Sequence, residues 1–415
     1  MDTRRSSGGY QVLLVTLLCL NFGILFFDRN ALNFLMPFVQ PELGLNYTQV
    51  GMLGSALSLT WAIAAIFVGW LSDKAGKRKI LIVLSTLLFS ACSVVSGFAS
   101  SFLMLLGARL VMGLSEGGVM PISHAMVAAE VSPKWRALAM GVTQNVGSSL
   151  LGSTVAPLVL VPVAIAWGWR EAFFIAAVPG LISALLIVLF VVERTVAKAE
   201  SRKAGDRAPL AEIIANRNVL ACAVMAVLLV SYLVITWAFM PLVLVQYRGM
   251  DEGTAAGLMA VLGVSSFISS FIVTTISDFV GRRPVMVIST FIGLLLPLGA
   301  LYYDGPVWMM GVIFFIGWMF NGIFPMFMAT VPAESVSPRQ VATAMGLVMG
   351  VGEILGGVFS PSIAGWLSDI YGLQAPLWFL MVLAVLGGLT ALFLRETAPR
   401  IVGQRPEPEL LDDFA

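Results

Sequence analysis

The chain has 415 residues, of which 59% are hydrophobic and 11% charged, and its formal net charge is +1. Because an ordinary soluble domain has about 45–50% apolar and about 25% charged residues, this composition excludes a soluble enzyme, and we expect no nucleic-acid partner. The three cysteines, Cys19, Cys92 and Cys222, all fall in apolar segments, which argues against a disulfide framework or a CxxC metal pair.

The apolar residues form blocks of roughly 20–27 residues, long enough to cross a hydrocarbon core of about 30 Å. Lipid offers no partner to backbone polar groups, so these blocks must be helices. We predict an all-α membrane protein with twelve transmembrane helices and a retained first span. The predicted spans are 11–36, 48–71, 80–98, 102–128, 137–165, 171–192, 219–245, 253–276, 284–302, 307–332, 341–367 and 374–394.

The basic residues predict the orientation. With the amino terminus in the cytoplasm, twenty of the 24 lysines and arginines fall on that side, and only Arg170 and Arg248 fall on the other. Cytoplasmic loops carry an excess of Lys and Arg. The split therefore predicts that both termini are cytoplasmic, in a multi-pass protein of the cell membrane, with a bacterial inner membrane as the expected location.

The chain reads as two copies of one six-helix unit. SDKAGKR (72–78) matches SDFVGRR (277–283) at an offset of 205, and SPKWRALAMG (132–141) matches SPRQVATAMG (337–346) at the same offset. Such duplication is typical of transporters whose halves rock around a central site. The predicted parts are a cytoplasmic tail (1–10), the first half (11–192), a cytoplasmic central loop (193–218), the second half (219–395) and a final tail (396–415).

GWLSDKAGKRK (69–79), between spans two and three, resembles the signature loop of the major facilitator superfamily, and GWLSDIYG (365–372) is a weaker echo of it. The resemblance implies a gating loop that opens and closes during alternating access. Alternatively, its basic residues only set the topology. The residues assigned to the gate are Gly69, Asp73, Gly76, Lys77 and Arg78, with Asp278, Gly281, Arg282 and Arg283 in the second copy.

Few ionisable side chains lie within the predicted spans: Asp28, Arg29, Arg109, Glu116, His124 and Glu353. A lone charge at mid-membrane costs on the order of 2.5–3.5 kcal/mol on insertion scales, so such residues are functional candidates. Asp28 and Arg29 are adjacent and point about 100° apart on a helix, so each needs another partner. A buried structural ion-pair network is the alternative for both. Arg109, near the outer end of its span, is equally explained by snorkelling or a helix contact. For His124 we expect a local hydrogen bond near the outer mouth.

FFDRNALNFLMP in span one and RLVMGLSEGGVMP in span four are similar to the anion:cation symporter family, which includes sugar-acid and aromatic-acid symporters. The resemblance implies that Arg29 binds a substrate carboxylate and that Asp28 and Glu116 carry the coupling protons. Arg presents a fork that fits a carboxylate, and buried carboxylates can load and release protons near neutral pH. The expected partners are a small organic anion, protons and the bilayer, with the proton gradient as energy source, no cofactor, and a monomer as the functional unit.

Some members of that family have a second substrate-binding Arg in span seven, which this chain lacks. Its absence favours a monocarboxylate with hydroxyl or aromatic character over a dianion. Polar or aromatic residues in the facing spans could complete the site, although each could also bond a neighbouring helix. These candidates are Gln144, Asn145, Tyr232, Trp237, Asn321 and Glu353.

Other functions are less well supported. GLSEG (113–117) fits a hydrolase nucleophile pattern, but no strand precedes it, so we predict that the protein is not an enzyme. A proton-driven exporter of drugs or metabolites is the main rival, and its usual glycine–proline motif in span five is missing from GSSLLGSTVAPLV (147–159). A non-transporting membrane sensor would be expected to have a longer cytoplasmic tail.

Overall fold

The computed structural model describes residues 8–75, 77–193, 210–338 and 340–403. In this part of the chain twelve long helices follow one another: α1 Gly8–Leu43, α2 Tyr47–Ala75, α3 Arg78–Gly97, α4 Phe102–Glu130, α5 Pro133–Trp167, α6 Trp169–Phe190, α7 Arg217–Tyr247, α8 Glu252–Val280, α9 Arg282–Tyr302, α10 Val307–Glu334, α11 Val341–Tyr371 and α12 Ala375–Leu392. Short helices at Leu210–Ala215 and Pro399–Val402 flank the second half.

Eleven of these helices are long and apolar enough to cross a membrane, counted over the described residues. The remaining one, α2, corresponds to the predicted second span; at about 1.5 Å per residue its 29 residues are also long enough. Large apolar side chains such as Phe67 and Leu103 point outward, as expected where lipid rather than water surrounds the bundle.

The two halves pack alike. In the first half α1 packs on α5 and α6, α2 on α4, and α3 on α6; in the second half α7 packs on α11 and α12, α8 on α10, and α9 on α12. Each contact maps onto its counterpart six helices later. The structure thus confirms the predicted fold, an all-α membrane protein built from two pseudo-symmetric halves.

Acidic side chains at the end of each half fix the third helix of that half. Glu193, after α6, accepts hydrogen bonds from the amides of Lys79 and Ile80 at 3.3 and 3.2 Å. Glu396, after α12, accepts them from Arg282 and Arg283 at 2.7 and 3.1 Å. Partial burial raises the pKa of Glu396, but backbone N–H donors lower it more, so its net shift is downward. Each carboxylate therefore lies at the amino-terminal, positive end of a helix dipole, where a negative charge is stabilising.

The halves meet mainly through α2 with α11, α5 with α8, and α1 with α7. The end of the bundle that carries the α1–α2 and α7–α8 loops is tightly shut, and we call it the closed end. There Asp369 of α11 accepts hydrogen bonds from the amides of Tyr47 and Thr48 at 2.8 and 2.9 Å and from the Thr48 hydroxyl at 2.5 Å. A side chain from one half thus caps a helix of the other half.

Small residues allow this close approach. A methyl group at Gly51 or Gly365 would overlap the backbone of Pro361 or Tyr47 in the opposite half. At the other end of the bundle, among the described residues, the first turns of α5 (Pro133–Gly141) and α11 (Val341–Val351) make no extensive contact with the opposite half. The interface therefore opens towards the end that carries the chain termini.

Replacing Asp369 by alanine should loosen the closed end. Loss of an N-cap costs about 1–2 kcal/mol, or roughly 5–30-fold in the ratio of closed to open molecules. The measurement is the distribution of distances between spin labels placed on α2 and α11 at the closed end.

Asp251→Ala is the matched control, since Asp251 caps its own helix α8 through the Thr254 amide at 2.8 Å and does not cross the interface. Equal effects of the two substitutions on the label distances would contradict a gating role for Asp369.

Candidate functional site

Asp28 and Arg29 lie midway along α1, and their side chains face different helices. Asp28 is fully buried and accepts a hydrogen bond from the Ser93 hydroxyl of α3 through Oδ1. Its other oxygen, Oδ2, has no hydrogen-bond partner in the described structure. The Arg29 side chain points instead towards α2 and α4 and is 19% exposed. Adjacent residues on one helix diverge in this way, which gives the two charges separate surroundings.

Glu116 of α4 is the acidic neighbour of Arg29. Its Oε2 lies 3.8 Å from Nε of Arg29 and its side chain is fully buried. Neither carboxylate oxygen has a hydrogen-bond partner among the described residues. The Arg29 guanidinium also lies over the rings of Phe26 and Trp61, at 5.5 and 5.7 Å from the ring centroids. The Arg29 guanidinium thus contacts two ring faces and one carboxylate that does not hydrogen-bond to it. Its N–H groups can therefore donate hydrogen bonds to another anion.

Arg109 forms a helix contact, one of the two alternatives that the sequence left open. Its side chain is buried, and Nη1 donates to the backbone carbonyl of Arg29 at 2.9 Å. It acts electrostatically on both Asp28 and Glu116. Arg109 therefore fixes the backbone beside the candidate binding residue and offsets the two nearby carboxylates.

Glu353 lies in the opposite half, on a π-helical segment of α11, Gly352–Val358. It is partly exposed, and the charge of Arg29 acts on it. The nearby Gly357 approaches Ser58 of α2, since a methyl group there would lie 3.7 Å from the serine side chain. Glu353 is thus an acidic group within electrostatic reach of Arg29.

Gln144 and Asn145 occupy the matching helix of the first half, in the π-helical segment Val142–Val146 of α5. Both are partly exposed, and their backbone carbonyls accept from the Ser148 hydroxyl at 2.6 and 3.3 Å. Segments of π-helix are frequent at functional sites, and here they recur in the two symmetry-related helices that line the interface.

The remaining candidates lie deeper in the second half. Tyr232 is fully buried, and its hydroxyl donates to the Gly293 carbonyl at 2.7 Å. Trp237 packs edge-on against Phe34 of α1 at 5.9 Å between ring centroids. Asn321 donates to the Ser266 hydroxyl at 3.0 Å while its Oδ1 is buried without a partner in the described chain. Of these three, Trp237 contacts the opposite half directly.

The gating-loop residues are only partly described. Gly76 lies outside the described residues, and nothing is described at the side-chain level for Gly69 or Asp73. Arg78 donates to the Ala125 carbonyl at 3.0 Å, and Lys77 precedes α3. In the second copy Arg282 pairs with Asp278 at 2.6 Å and Glu334 at 3.1 Å. Arg283 donates to the Leu392 carbonyl at 2.9 Å, and Gly281 has a φ of +114° that suits glycine.

The expectation for His124 is wrong in position. α4 begins at Phe102 beside the closed end, so His124, eight residues beyond Glu116, lies towards the opposite end of the bundle. There it bonds the backbone of Met140 in α5. The sequence order of the predicted spans already implied this placement, because span four runs back towards the cytoplasmic side.

Sequence reasoning missed Ser93, which bonds Asp28. A signal was present in the spacing of Thr86, Ser90 and Ser93, which share one face of an otherwise apolar helix. Such a polar stripe must meet polar partners inside the bundle.

The family model of the Major Facilitator Superfamily matches residues 18–351 and 234–414. The chain belongs to the Major Facilitator Superfamily. It is therefore a membrane transport protein rather than an enzyme.

Curated relatives include transporters of organic anions, which confirms the predicted resemblance. The chain is 34% identical to a probable sulfoacetate transporter of Cupriavidus necator over 43% of this chain and 41% of that protein. It is 28% identical to a probable 4-methylmuconolactone transporter of Cupriavidus pinatubonensis over 80% and 78%. It is 31% identical to the hexuronate transporter of Bacillus subtilis over 62% of each protein. The first and third alignments thus span less than two thirds of those relatives.

A similar solved structure is that of a bacterial homologue of the human lysosomal transporter Spinster, in an inward-facing and occupied conformation. Its TM-score is 0.77 at 19% sequence identity, over 97% of this chain and all of that chain. At this identity the likeness establishes the fold.

Close packing of α1 on α5 positions the charged residues of α1. A methyl group at Gly23 would lie 2.7 Å from the Gly147 carbonyl oxygen. Gly23→Ala should therefore push the helices apart, lower the free energy of unfolding by about 1–3 kcal/mol, and reduce transport by displacing Arg29. Thermal unfolding in detergent and substrate uptake measure the two effects.

Gly107→Ala on α4 is the control, since nothing lies within 4 Å of the added methyl group. Unchanged stability and uptake in Gly23→Ala would show that α1 tolerates a wider spacing from α5.

Proposed function

We propose that the protein is a proton-coupled symporter that imports a small organic anion, a carboxylate such as a sugar acid or an aromatic acid, by alternating access. The observation that carries this proposal is the pair of Arg29 and Glu116. A partly exposed guanidinium lies 3.8 Å from a buried carboxylate that has no hydrogen bond in the described structure. This weak pairing leaves Arg29 able to take a second anionic partner.

The pair supports coupling through competition. While Glu116 is ionised, it neutralises Arg29 and opposes the entry of another carboxylate. A proton on Glu116 removes that competition, so Arg29 can form a two-pronged hydrogen bond with the substrate. Asp28, on the other side of α1, would carry a further proton. Binding of the proton would therefore favour binding of the anion, and binding of the anion would favour binding of the proton, as symport requires.

The charge balance favours a monocarboxylate. Arg29 is the candidate cation of the site, whereas Glu353 offers an acidic group within its electrostatic reach. A second carboxylate on the substrate would be repelled by Glu353, whereas hydroxyl groups could donate hydrogen bonds to it. A relative named for hexuronate, which has one carboxylate and several hydroxyl groups, is in accord with this class of cargo, whereas a relative named for sulfoacetate handles an anion with two acidic groups.

The distribution of basic residues predicts that both termini are cytoplasmic, and on that basis we assign the closed end to the outer face of a bacterial inner membrane. The described conformation would then be inward-facing. Opening the outer side would break the contacts of Asp369, while the signature loops would close the inner side. We expect the functional unit to be a monomer that uses the proton gradient and no cofactor.

Coupling is also favoured energetically. Importing one negative charge against an inside-negative potential costs about 2.3 kcal/mol per 100 mV. One co-transported proton cancels this cost, and a second makes import favoured by the potential.

The first test is substrate-induced proton movement in proteoliposomes. The panel contains sugar acids, aromatic acids, small dicarboxylates and lipophilic cations. We expect a proton signal from one class of monocarboxylate that disappears in Arg29→Ala and persists in the control Arg170→Ala. Arg170 pairs with Glu42 at the closed end, away from the site.

A signal from cations alone that survives Arg29→Ala would overturn the proposal in favour of a proton-driven exporter. A stronger signal from dicarboxylates than from monocarboxylates would overturn the assignment of substrate class.

Replacing Glu116 by glutamine should separate coupling from exchange. The amide cannot carry a proton, so gradient-driven uptake should fall by at least about 100-fold, whereas exchange of labelled for unlabelled substrate should continue. Glu171→Gln, an exposed position at the first turn of α6, is the control. Equal losses of uptake and exchange would contradict a specific role in coupling.

A further inference from the structure

A buried row of polar side chains lies behind Asp28, between α1, α3 and α6. We call it the polar seam, and its members are Asn21, Asp28, Thr86, Ser90, Ser93 and Ser183. Each of these side chains is fully or almost fully buried. The inference below rests on the proposed role of Asp28 as a proton carrier.

Two hydrogen bonds in the same register define the seam. Ser93 bonds Asp28, and Thr86 bonds Asn21 at 3.0 Å, each pair being 65 residues apart in sequence. α1 and α3 therefore run side by side, and the two bonds are seven residues, or about 10 Å, apart along them. Ser90 lies between the two levels on the same face of α3.

α6 closes the third side and packs tightly on Ser90. Ser183 donates to Oδ1 of Asn21 at 2.8 Å, so this oxygen accepts hydrogen bonds from the hydroxyl groups of both Ser183 and Thr86. One turn before Ser183 in α6, Gly180 faces Ser90, and a methyl group at Gly180 would overlap the serine hydroxyl.

Unused hydrogen-bonding capacity is spread along the seam. Oδ2 of Asp28, Oγ of Ser90 and Nδ2 of Asn21 are all buried, and none has a partner in the described structure. Buried polar atoms without partners are costly, and such sites in proteins are commonly satisfied by ordered water with two to four polar partners. Three such atoms along about 10 Å of one seam supply donors and acceptors in the required number.

The inner end of the seam is sealed by apolar side chains. Leu17 and Leu18 of α1 pack there with Ile82 of α3 and Ile187 of α6 in one buried cluster. Within the described residues, the polar seam therefore ends at this apolar cluster.

We propose that the polar seam binds a short row of water molecules that solvate the carboxylate of Asp28 after it releases its proton. On release the O–H bond of the acid breaks, its electron pair stays on the carboxylate, and the proton passes to water. Oδ2 then accepts a hydrogen bond from the nearest water of the row, which Ser90 and the Asn21 amide hold in place. Ser90 and Asn21 are thus positioning residues for proton release.

Other charges that act on Asp28 do not differ between the variants of the test. They are Glu116 and Arg109 on α4, with Cys92 on α3 and Arg29 on its own helix. On α6 the ionisable residues, Arg170 and Glu171, are confined to its first turn at the closed end.

The test uses the monocarboxylate, from the panel above, that gives the proton signal. Its uptake into proteoliposomes is measured as a function of luminal pH, from about 6 to about 9, at fixed outer pH. Ser90→Ala removes one holder of the water row, and Gly180→Ala puts a methyl group where the Ser90 hydroxyl lies and so displaces that hydroxyl. In both, the carboxylate is less well solvated, so proton release should need a more alkaline lumen. We expect the luminal pH of half-maximal uptake to rise by about one unit, a tenfold change.

Exchange at equal pH on both sides does not require proton release and should stay within about twofold of the unmodified protein; this also shows that the variants fold. Ser96→Ala is the matched control, because Ser96 is buried on the same helix and, among the described residues, its hydroxyl bonds only the Cys92 carbonyl of its own helix, at 2.8 Å. Its pH profile should coincide with that of the unmodified protein.

A Ser90→Ala profile that coincides with the Ser96→Ala profile would overturn the proposal, as would equal losses of uptake and exchange. If the unmodified protein moves no protons with any acid, the proposed function itself fails. A shifted profile with intact exchange supports the seam specifically.

Discussion

The structure depends on charges held in an apolar medium. An ionised group inside a bilayer is costly unless it is paired or solvated, and this protein places two acids and two arginines close together in one half. Arg109 is buried, bonds the backbone beside Arg29, and acts on both acids. Its geometry fixes α1 to α4. Asp28, Glu116 and Arg109 itself each have buried polar atoms without a hydrogen-bond partner among the described residues. In the proposed mechanism a proton or a substrate anion would supply part of this missing pairing.

Glycine residues allow the close helix packing that holds this charged site together. Gly23 and Gly147 bring α1 and α5 into backbone contact, and Gly113 and Gly117 do the same for α4 and α2. Helices in lipid gain little from burying apolar surface against one another, so van der Waals contact between close backbones stabilises the assembly. As a result, Arg29, Glu116 and Trp61, which come from three helices, are held around one point.

The interface between the halves has a different character. At the closed end it includes small residues, a pair of serine hydroxyls, the capping of α2 by Asp369, and hydrogen bonds of Gln246 with Tyr47 and Gln40. Such contacts are specific but modest in energy. They would suit a contact that breaks and reforms in the proposed transport cycle. Firmly packed halves joined by such an interface would permit the rocking of rigid halves that we propose.

Much of this architecture could be predicted from the sequence, because a bilayer imposes simple rules. Apolar length gave the spans, the distribution of lysine and arginine gave an orientation, and the offset of 205 between SDKAGKR and SDFVGRR gave the two halves. These inferences need only local composition and spacing, which the sequence contains directly. The cost of charge in lipid singled out six ionisable residues, and the resemblance to the anion:cation symporter family assigned roles to Asp28, Arg29 and Glu116 among them.

Tertiary structure alone decided which groups meet. The sequence did not indicate that Arg109 bonds the backbone of Arg29, that Ser93 bonds Asp28, or that the Tyr232 hydroxyl bonds the Gly293 carbonyl. Nor did it indicate that Asp369 caps a helix more than 300 residues away in the chain. Each of these contacts depends on how helices rotate about their axes and how closely they approach. Those quantities arise from the packing of many side chains at once, and no short pattern of residues encodes them.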